Sequence, residues 1–502
     1  MADHKGKVPV SLSASSSSLS LSPKTTPIEA EVWLIAEARA QEILCAIQPN
    51  YLAERSRNKI ISNLQTLLWE RLGIEVYLFG SMPLKTYLPD GDIDLTVLTH
   101  HASEEDCARA VCCVLEAEMG NSDLQVTGVQ YVQAKVKVIK CSIRDVAFDI
   151  SFNQLAGLGA LCFLEQVDKA FGRDHLFKKS IILVKAWCFY ESRILGANSG
   201  LISTYALAIL VLNIVNMSYS SLSGPLAVLY KFINYYGSFD WKNYCVTVTG
   251  PVPISSLPDI TETGNHEVFL DEKFFRECME LYSGETGVVE ASRKYFPVKY
   301  YNILDPLKHS NNLGRSVTKG NMVRLRNCFM LGVQKLRDVL TLPGENVGWK
   351  LEKFFNVSLE RNGKGQRQDV EEPVVAFGTG AADYSQLKGD FDRYRNNLIY
   401  GKWFHGESLH NWLPPSLDTT SWANISFYMS RVRNGFNGRN QEGPTSMPNI
   451  KQSPNNRRSN GTGTYIPGMS KQSNTAGCSS SKPSTVKSLP SASETQESKK
   501  NP

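Results

Sequence analysis

The sequence predicts an α+β protein: a mixed-sheet domain followed by a mostly helical one, between disordered ends. Three observations carry this. Up to about residue 152, short runs of strict apolar/polar alternation are interleaved with stretches of helical spacing. From Asp174 to about Leu340 the spacing is almost wholly helical. Residues 1–27 and everything from about Arg431 lose that periodicity and fill with Ser, Pro, Gly and Asn, which bury too little apolar surface to offset chain entropy.

The elements follow in order. A helix begins at Pro27, with apolar Trp33, Ile35, Ala36, Ile43, Leu44 and Ile47, and a second covers about Ala53 to Leu72. Glu75 to Phe79 reads as a strand ending at Gly80-Ser81. Asp92 to Leu98 alternates cleanly, with Ile93, Leu95 and Val97 on one face and Asp92, Asp94 and Thr96 on the other. Ala108, Val111, Leu115 and Met119 mark a helix. Ala134–Lys140 and Asp145–Phe152 are strand-like, the latter turning Val146, Phe148, Ile150 and Phe152 one way and Asp149 the other. The stripe Met322, Leu325, Phe329, Val333, Leu336 and Leu340 is a helix stopped by Pro343-Gly344. The expected divisions are therefore 1–27 disordered, 28–73 N-terminal helices on the core, 74–165 the mixed-sheet domain, 166–345 the helical domain, 346–430 a partly ordered aromatic extension and 431–502 a basic disordered tail.

Composition narrows the function classes. At 502 residues the chain has room for roughly two to four domains, and a hydrophobic fraction of 42% supports real cores. The formal charge of +5 is uneven: residues 431–502 hold 11 Lys/Arg against 3 Asp/Glu, which suits a polyanion such as RNA or equally a solvated tail. The 11 cysteines include no Cys-x-x-Cys pair, so they read as reduced thiols rather than a zinc site or disulfide framework. The longest apolar run, about Tyr205 to Val215, falls short of the roughly 20 residues that span a bilayer, and no membrane partner is expected. Lys5 and Lys7 precede a Ser-rich stretch too polar for a signal-peptide core; a transit peptide is the alternative there.

Chemistry concentrates in the carboxylates. Asp92 and Asp94, two apart on one strand, leave the same face, where like charges held together need a cation. Mg²⁺, or Mn²⁺, suits carboxylates and phosphate oxygens, and a metal pair both activates a hydroxyl and stabilises leaving pyrophosphate. Asp149 is the natural third ligand. An Asp-x-Asp on a half-exposed strand is more often a solvated face, so it is the combination with the preceding Gly80-Ser81 and the later strand Asp that is specific. Asp90, across a Gly-containing turn, drops out of the set.

Phe79-Gly80-Ser81 followed by Asp92-Ile93-Asp94-Leu95 resembles the DNA polymerase β-like nucleotidyltransferase signature. Asp149-Ile150-Ser151-Phe152-Asn153 resembles the third-aspartate segment of noncanonical poly(A) polymerases and terminal uridylyltransferases. Val184-Lys185-Ala186-Trp187, Gly200 to Tyr205, Phe232 to Asp240, and Ile303-Leu304-Asp305-Pro306 with Asn311 to Arg315 extend the likeness over about residues 30–345, most closely to plant proteins with a PAP/OAS1-type substrate-binding domain. The resemblance implies a palm-like catalytic domain beside a PAP/OAS1-type helical domain. It implies metal-binding and catalytic roles for Asp92, Asp94 and Asp149, and phosphate-holding roles for Gly80 and Ser81. Lys185 would meet the triphosphate, Thr204 (or Ser203 in another register) a phosphate, and Tyr205 the base, with Asn312 and Arg315 in the recognition loop. A core position for Tyr205 and a solvated one for Lys185 are the plain alternatives.

One departure stands out. Many members carry a second Lys one turn after the first; here that position is Phe189, with Lys178 or Arg193 as candidate substitutes. Uridylyltransferases often have His just before the Asn-Leu/Val-Gly-Arg core, where this chain has Asn311, with His309 two residues earlier, so ATP is expected over UTP. The expected reaction adds nucleotides, AMP first, to an RNA 3′ end without a template. No RRM, KH or zinc-knuckle signature is present, so the acceptor is expected to be held by the catalytic cleft itself, either with low sequence specificity or with a protein partner supplying it. A weakly active RNA-associated scaffold, or an enzyme with a non-RNA acceptor, are the alternatives, and either nucleus or cytoplasm fits the sparse basic pieces such as Arg457-Arg458.

Overall fold

A computed structural model describes residues 28–99, 103–121, 123–133, 136–257, 267–283, 295–381 and 385–399. The Ser-rich N-terminal stretch, the basic tail and the aromatics Tyr400, Trp403 and Trp412 lie outside them.

Two helices come first. In α1 (Ala30–Ile47) Val32, Ala36, Ala40, Ile43, Leu44 and Ile47 are buried, a stripe at helical spacing. Helix α2 (Tyr51–Leu72) is opened by Asn50, whose side chain accepts from Ala53 N at 2.8 Å, and closed by Gly73 in the left-handed region. The two then part. Helix α1 packs against the helical layer, whereas α2 lies with α4 (Glu104–Ala117) over a five-stranded sheet.

That sheet comprises β1 (Val76–Phe79), β2 (Ile93–Val97), β3 (Val126–Val132), β4 (Val138–Ile143) and β5 (Val146–Phe152), in the order β1-β2-β5-β4-β3. Strands β2 and β5 are parallel and the other pairs antiparallel. In the parallel pair Ile93 faces Phe148, Leu95 faces Ile150 and Val97 faces Phe152. All six are buried against α2 and α4. Period-two alternation therefore turns Asp94 and Asp149 together to the opposite face. Strand β3 carries little apolar periodicity and is not legible in the sequence. The expected strand at 134–140 is displaced to 138–143, because Arg144 and Asp145, both at positive φ, form the two-residue turn that fixes the β4–β5 register.

Helix α3 (Ser81–Leu84) follows β1 directly. Beyond the sheet run α5 (Leu155–Phe171), α6 (Leu176–Ala186) with a π-helical continuation over Trp187–Glu191, α7 (Thr204–Ser218) and α8 (Pro225–Ser238). Next come a hairpin of β6 (Tyr244–Thr247) and β7 (Gly250–Pro253), then α9 (Glu272–Tyr282). A small hairpin of β8 (Leu304–Asp305) and β9 (Lys308–Asn312) precedes α10 (Lys319–Leu340). Residues 204–221 are long and apolar enough to cross a membrane, but most of that stretch is buried against its neighbours, as a core helix would be. The chain continues into α11 (Gly344–Phe354), α12 (Asn356–Asn362) and α13 (Phe391–Ile399). Helix α11 packs on α1 and α10, α12 on the end of α6, and α13 on α5.

Candidate active site

The register of four strands sets the site. Phe79 pairs with Asp94, Asp94 with Asp149, and Asp149 with Lys140, so these side chains form one row across the sheet. Asp92 stands two residues before Asp94, just ahead of β2, on the same side. One oxygen from each of Asp92, Asp94 and Asp149 lies within 4.8 Å of the others. Asp92 and Asp149 are buried and Asp94 is part-buried.

Three carboxylates at this spacing disfavour one another's charge. Burial, then the charges of Asp92 and Asp149, raise the Asp94 carboxyl well above the ordinary range, against the pull of Lys185 and Lys140. Burial and Asp92 push Asp149 up to about 6, although Lys140 forms an ion pair with its Oδ2. Asp149 Oδ1 is buried with no hydrogen-bond partner. A buried carboxylate oxygen without a donor, facing two more carboxylates, fits a hard divalent cation, and all three donors are oxygens of the type Mg²⁺ prefers.

Beside the aspartates opens a cleft of about 300 Å³. Its sheet side is formed by Gly80, Ser81, Thr86 and Asp94. Gly80 has φ +73°, and a Cβ there would stand 2.5 Å from Asp94 Oδ2, so only glycine brings this turn against the carboxylate. On the helical side α6 contributes Lys185, whose Nζ donates to Thr86 O at 3.0 Å. Burial lowers its ammonium to about 8 despite Asp92 and Asp94 nearby. Lys185 is thus a buried cation against the site, not a solvated helix lysine.

Ser203, Thr204 and Tyr205 also line the cleft, at the start of α7. The Ser203 hydroxyl caps that helix, accepting from Ala206 N at 3.1 Å, and Thr204 lines the cleft beside it. Tyr205 donates its hydroxyl to Asp305 Oδ1 at 3.3 Å. Asn311 donates to Asp305 Oδ2 at 2.8 Å, and the Arg315 guanidinium donates to Asn311 Oδ1. Burial raises the Asp305 carboxyl despite these donors. Asp305, Asn311 and Arg315 all face the cleft.

Asn312 does not reach the cleft, and its expected place in nucleotide recognition is corrected. It is fully buried, accepting from Ile303 N and Gly314 N and donating to Pro297 O and Asn302 Oδ1. In β9 successive side chains point oppositely, so Asn311 faces the site and Asn312 braces the loop. The same bracing needs Gly314, where a side chain would collide with the Tyr301 carbonyl.

Neither expected substitute for a second phosphate lysine reaches the cleft. Lys178 is fully buried, donating to both Glu165 oxygens and to Leu387 O at 2.9 Å. Arg193 is exposed, and its Nε turns back to the Tyr190 carbonyl at 3.3 Å. Phe189 sits in the π-helical turn, edge-on to Tyr190. Besides Lys185 and Arg315, the cation lining the cleft is Lys308, in the β8–β9 hairpin. Sequence reasoning missed Lys140, Asp305 and Lys308. The Arg144-Asp145 turn could have found the first, since a two-residue turn there sets Lys140 opposite Asp149.

Two family models match in tandem: the central palm domain of a mitochondrial-like poly(A) RNA polymerase over residues 37–166, and the PAP/OAS1 substrate-binding domain over residues 171–359. The chain thus combines the two domains of the noncanonical poly(A) polymerase and terminal uridylyltransferase family. Among curated relatives of this family, Poly(A) RNA polymerase gld-4 of Caenorhabditis elegans is 27% identical over 172 residues, covering 33% of this chain and 20% of that protein. Protein HESO1 of Arabidopsis thaliana is 23% identical over 336 residues, covering 59% and 63%. The Drosophila melanogaster protein Trf4-2, described as an inactive noncanonical poly(A) RNA polymerase, is 27% identical over 208 residues, covering 38% and 47%. The chain spans less than two thirds of each of these relatives. Among solved structures, a crystal structure of the Cid1 poly(U) polymerase aligns with TM-score 0.42 and 17% identity over 62% of this chain and 94% of that one. The cleft lies where the two matched domains meet, lined by residues from both.

Proposed function

We propose that this chain is a template-independent RNA nucleotidyltransferase that uses ATP in preference to UTP. The observation carrying this is the three-aspartate cluster at the edge of a cleft that also holds Lys185, Thr204 and Tyr205. In the reaction an RNA 3′-hydroxyl attacks the α-phosphorus, the α–β bridging bond breaks, and pyrophosphate leaves. Asp92, Asp94 and Asp149 would hold Mg²⁺ or Mn²⁺, which when bound promotes loss of the hydroxyl proton and offsets charge on the phosphates. Asp149, with its second oxygen unpartnered, is the group best set to orient the attacking hydroxyl. Lys185 supplies a fixed positive charge for the triphosphate, with Gly80 and Ser81 closing around it. Tyr205 offers its ring to the base, oriented by Asp305. The preference for ATP rests on Asn311, a neutral amide facing the cleft, and on His309 standing exposed and away from its lining. The sequence carries no RRM, KH or zinc-knuckle signature, so a protein partner is the proposed source of RNA specificity.

The test incubates the purified chain with a short RNA, Mg²⁺ or Mn²⁺, and each nucleoside triphosphate in turn, alongside Asp92→Ala/Asp94→Ala. Extension with ATP by the wild type and none by the variant is expected. Faster extension with UTP would overturn the base preference, and equal silence from both proteins with RNA still bound would favour a scaffold.

A further inference from the structure

The loop leading into Asp92 is held by charged groups that the nucleotide cleft does not use. Arg57 of α2 is fully buried. It donates from Nη1 to Gly91 O at 2.9 Å and from Nη2 to Pro89 O at 3.0 Å, with its guanidinium 4.3 Å over the Tyr87 ring. Its Nε reaches Asp369 Oδ2 at 3.2 Å. Asp369 in turn accepts from Arg367 at 3.0 and 3.1 Å, and Arg367 donates to Gln48 O at 2.7 Å. On the outer side of the same loop, Arg361 of α12 pairs with Asp90 Oδ2 at 2.5 Å. Residues 87–91 are therefore gripped from two sides, and the next residue is Asp92.

The same short helix is tied to the other half of the site. Glu191, at the end of the π-helical turn that extends the Lys185 helix, accepts from Val357 N, Ser358 N and Ser358 Oγ at 3.2, 2.8 and 2.8 Å. Lys185 itself donates to Thr86 O, one residue before the gripped stretch. Helix α12 thus joins the segment that carries Lys185 to the loop that carries Asp92. Buried ion clusters of this sort add little net stability, because desolvation offsets the Coulomb gain, but when fully hydrogen-bonded they fix one geometry.

We propose that residues 356–371 are a clamp, and that Arg361, Arg367 and Asp369, together with Arg57, are positioning residues that set Asp92 against Asp94 and Asp149. The proposal rests on the reading of those aspartates as a divalent-metal site. It assigns to the segment reaching beyond the matched substrate-binding domain a part in building that site.

The test titrates Mn²⁺ into the full chain calorimetrically, alongside thermal melts and RNA-extension kinetics, for wild type, Arg361→Gln, Arg361→Lys and Asp369→Asn. Arg361 is part-exposed, so its variants keep the fold even if Asp369→Asn does not. Arg361→Gln is expected to melt near the wild-type temperature, bind Mn²⁺ about tenfold more weakly and lose kcat with little change in the nucleotide KM, in line with the cost of losing a group that orients a metal ligand. Arg361→Lys is expected to recover most of the Mn²⁺ affinity. Wild-type Mn²⁺ affinity in both Arg361→Gln and a folded Asp369→Asn overturns the clamp. A wild type that binds Mn²⁺ without extending RNA overturns the functional reading alone, and the titration still judges the clamp. A wild type that binds no Mn²⁺ overturns both.

Discussion

At Gly80 a side chain would have to enter the space of the Asp94 carboxylate, and the backbone conformation itself costs a non-glycine residue about 1–3 kcal/mol. Gly80→Ala is therefore expected to lower kcat by roughly 100-fold, the scale of an ångström-level displacement in a reacting site, while circular dichroism still reports a folded protein. A rate within twofold of wild type would show that Asp94 moves freely. Under the proposed function Asp305 bears on nucleotide binding instead, since it is hydrogen-bonded to both Tyr205 and Asn311. Asp305→Ala is expected to raise the ATP KM by about tenfold, equivalent to about 1.4 kcal/mol, and to affect kcat less, as steady-state kinetics will show. At this scale the sequence was most readable where chemistry demands a residue type. Asp92, Asp94 and Asp149 stood out through their combination with Gly80-Ser81, since an Asp-x-Asp alone is more often a solvated face. Lys140 and Asp305 did not, because each is ordinary until a neighbour across the sheet or hairpin gives it a partner.

Among the elements, β2 and β5 were legible because apolar and polar residues alternate along them, even though both faces are largely buried. Strand β3, which is exposed or part-exposed along most of its length, and the short hairpins β6–β7 and β8–β9 were not, since their side chains do not divide into a buried and an exposed face. The β9 hairpin shows the cost: without its register the sequence does not show that Asn311 faces the cleft while Asn312 braces the loop. The β2–β5 pairing also carries a pH prediction. With no metal bound, the Asp149 carboxyl is raised from its ordinary 3.8 to about 6. A raised carboxyl contributes stability below its unfolded value, and that contribution is lost as pH rises through about 6. Metal needs the ionised form, so added Mg²⁺ is expected to raise the melting temperature more near pH 7.5 than near pH 5. An equal shift at both would place the ion elsewhere.

For the molecule as a whole, the site is a product of segments far apart in the chain. The aspartates come from the sheet, Lys185 and Tyr205 from the helical layer, and the buried Arg57–Asp369 pair joins residues 312 positions apart. Sequence patterning shows where such layers begin and end, but not which charged residues meet between them. Despite burial, the two arginines hold Asp369 below the ordinary carboxylate range. Its contribution to stability is present above its unfolded value and lost as pH falls through the depressed one, so acid unfolding is expected to be milder in Asp369→Asn than in wild type, relative to each protein's own neutral-pH melting temperature. The central claim is that the three aspartates perform nucleotidyl transfer, and pyrophosphate is the product common to every acceptor. The decisive measurement is pyrophosphate release from ATP, with and without an RNA carrying a free 3′-hydroxyl, by wild type and Asp149→Asn. RNA-dependent release, one pyrophosphate per nucleotide added and abolished in Asp149→Asn, is expected. Release that persists in Asp149→Asn, or none from the wild type with any nucleoside triphosphate, would contradict it.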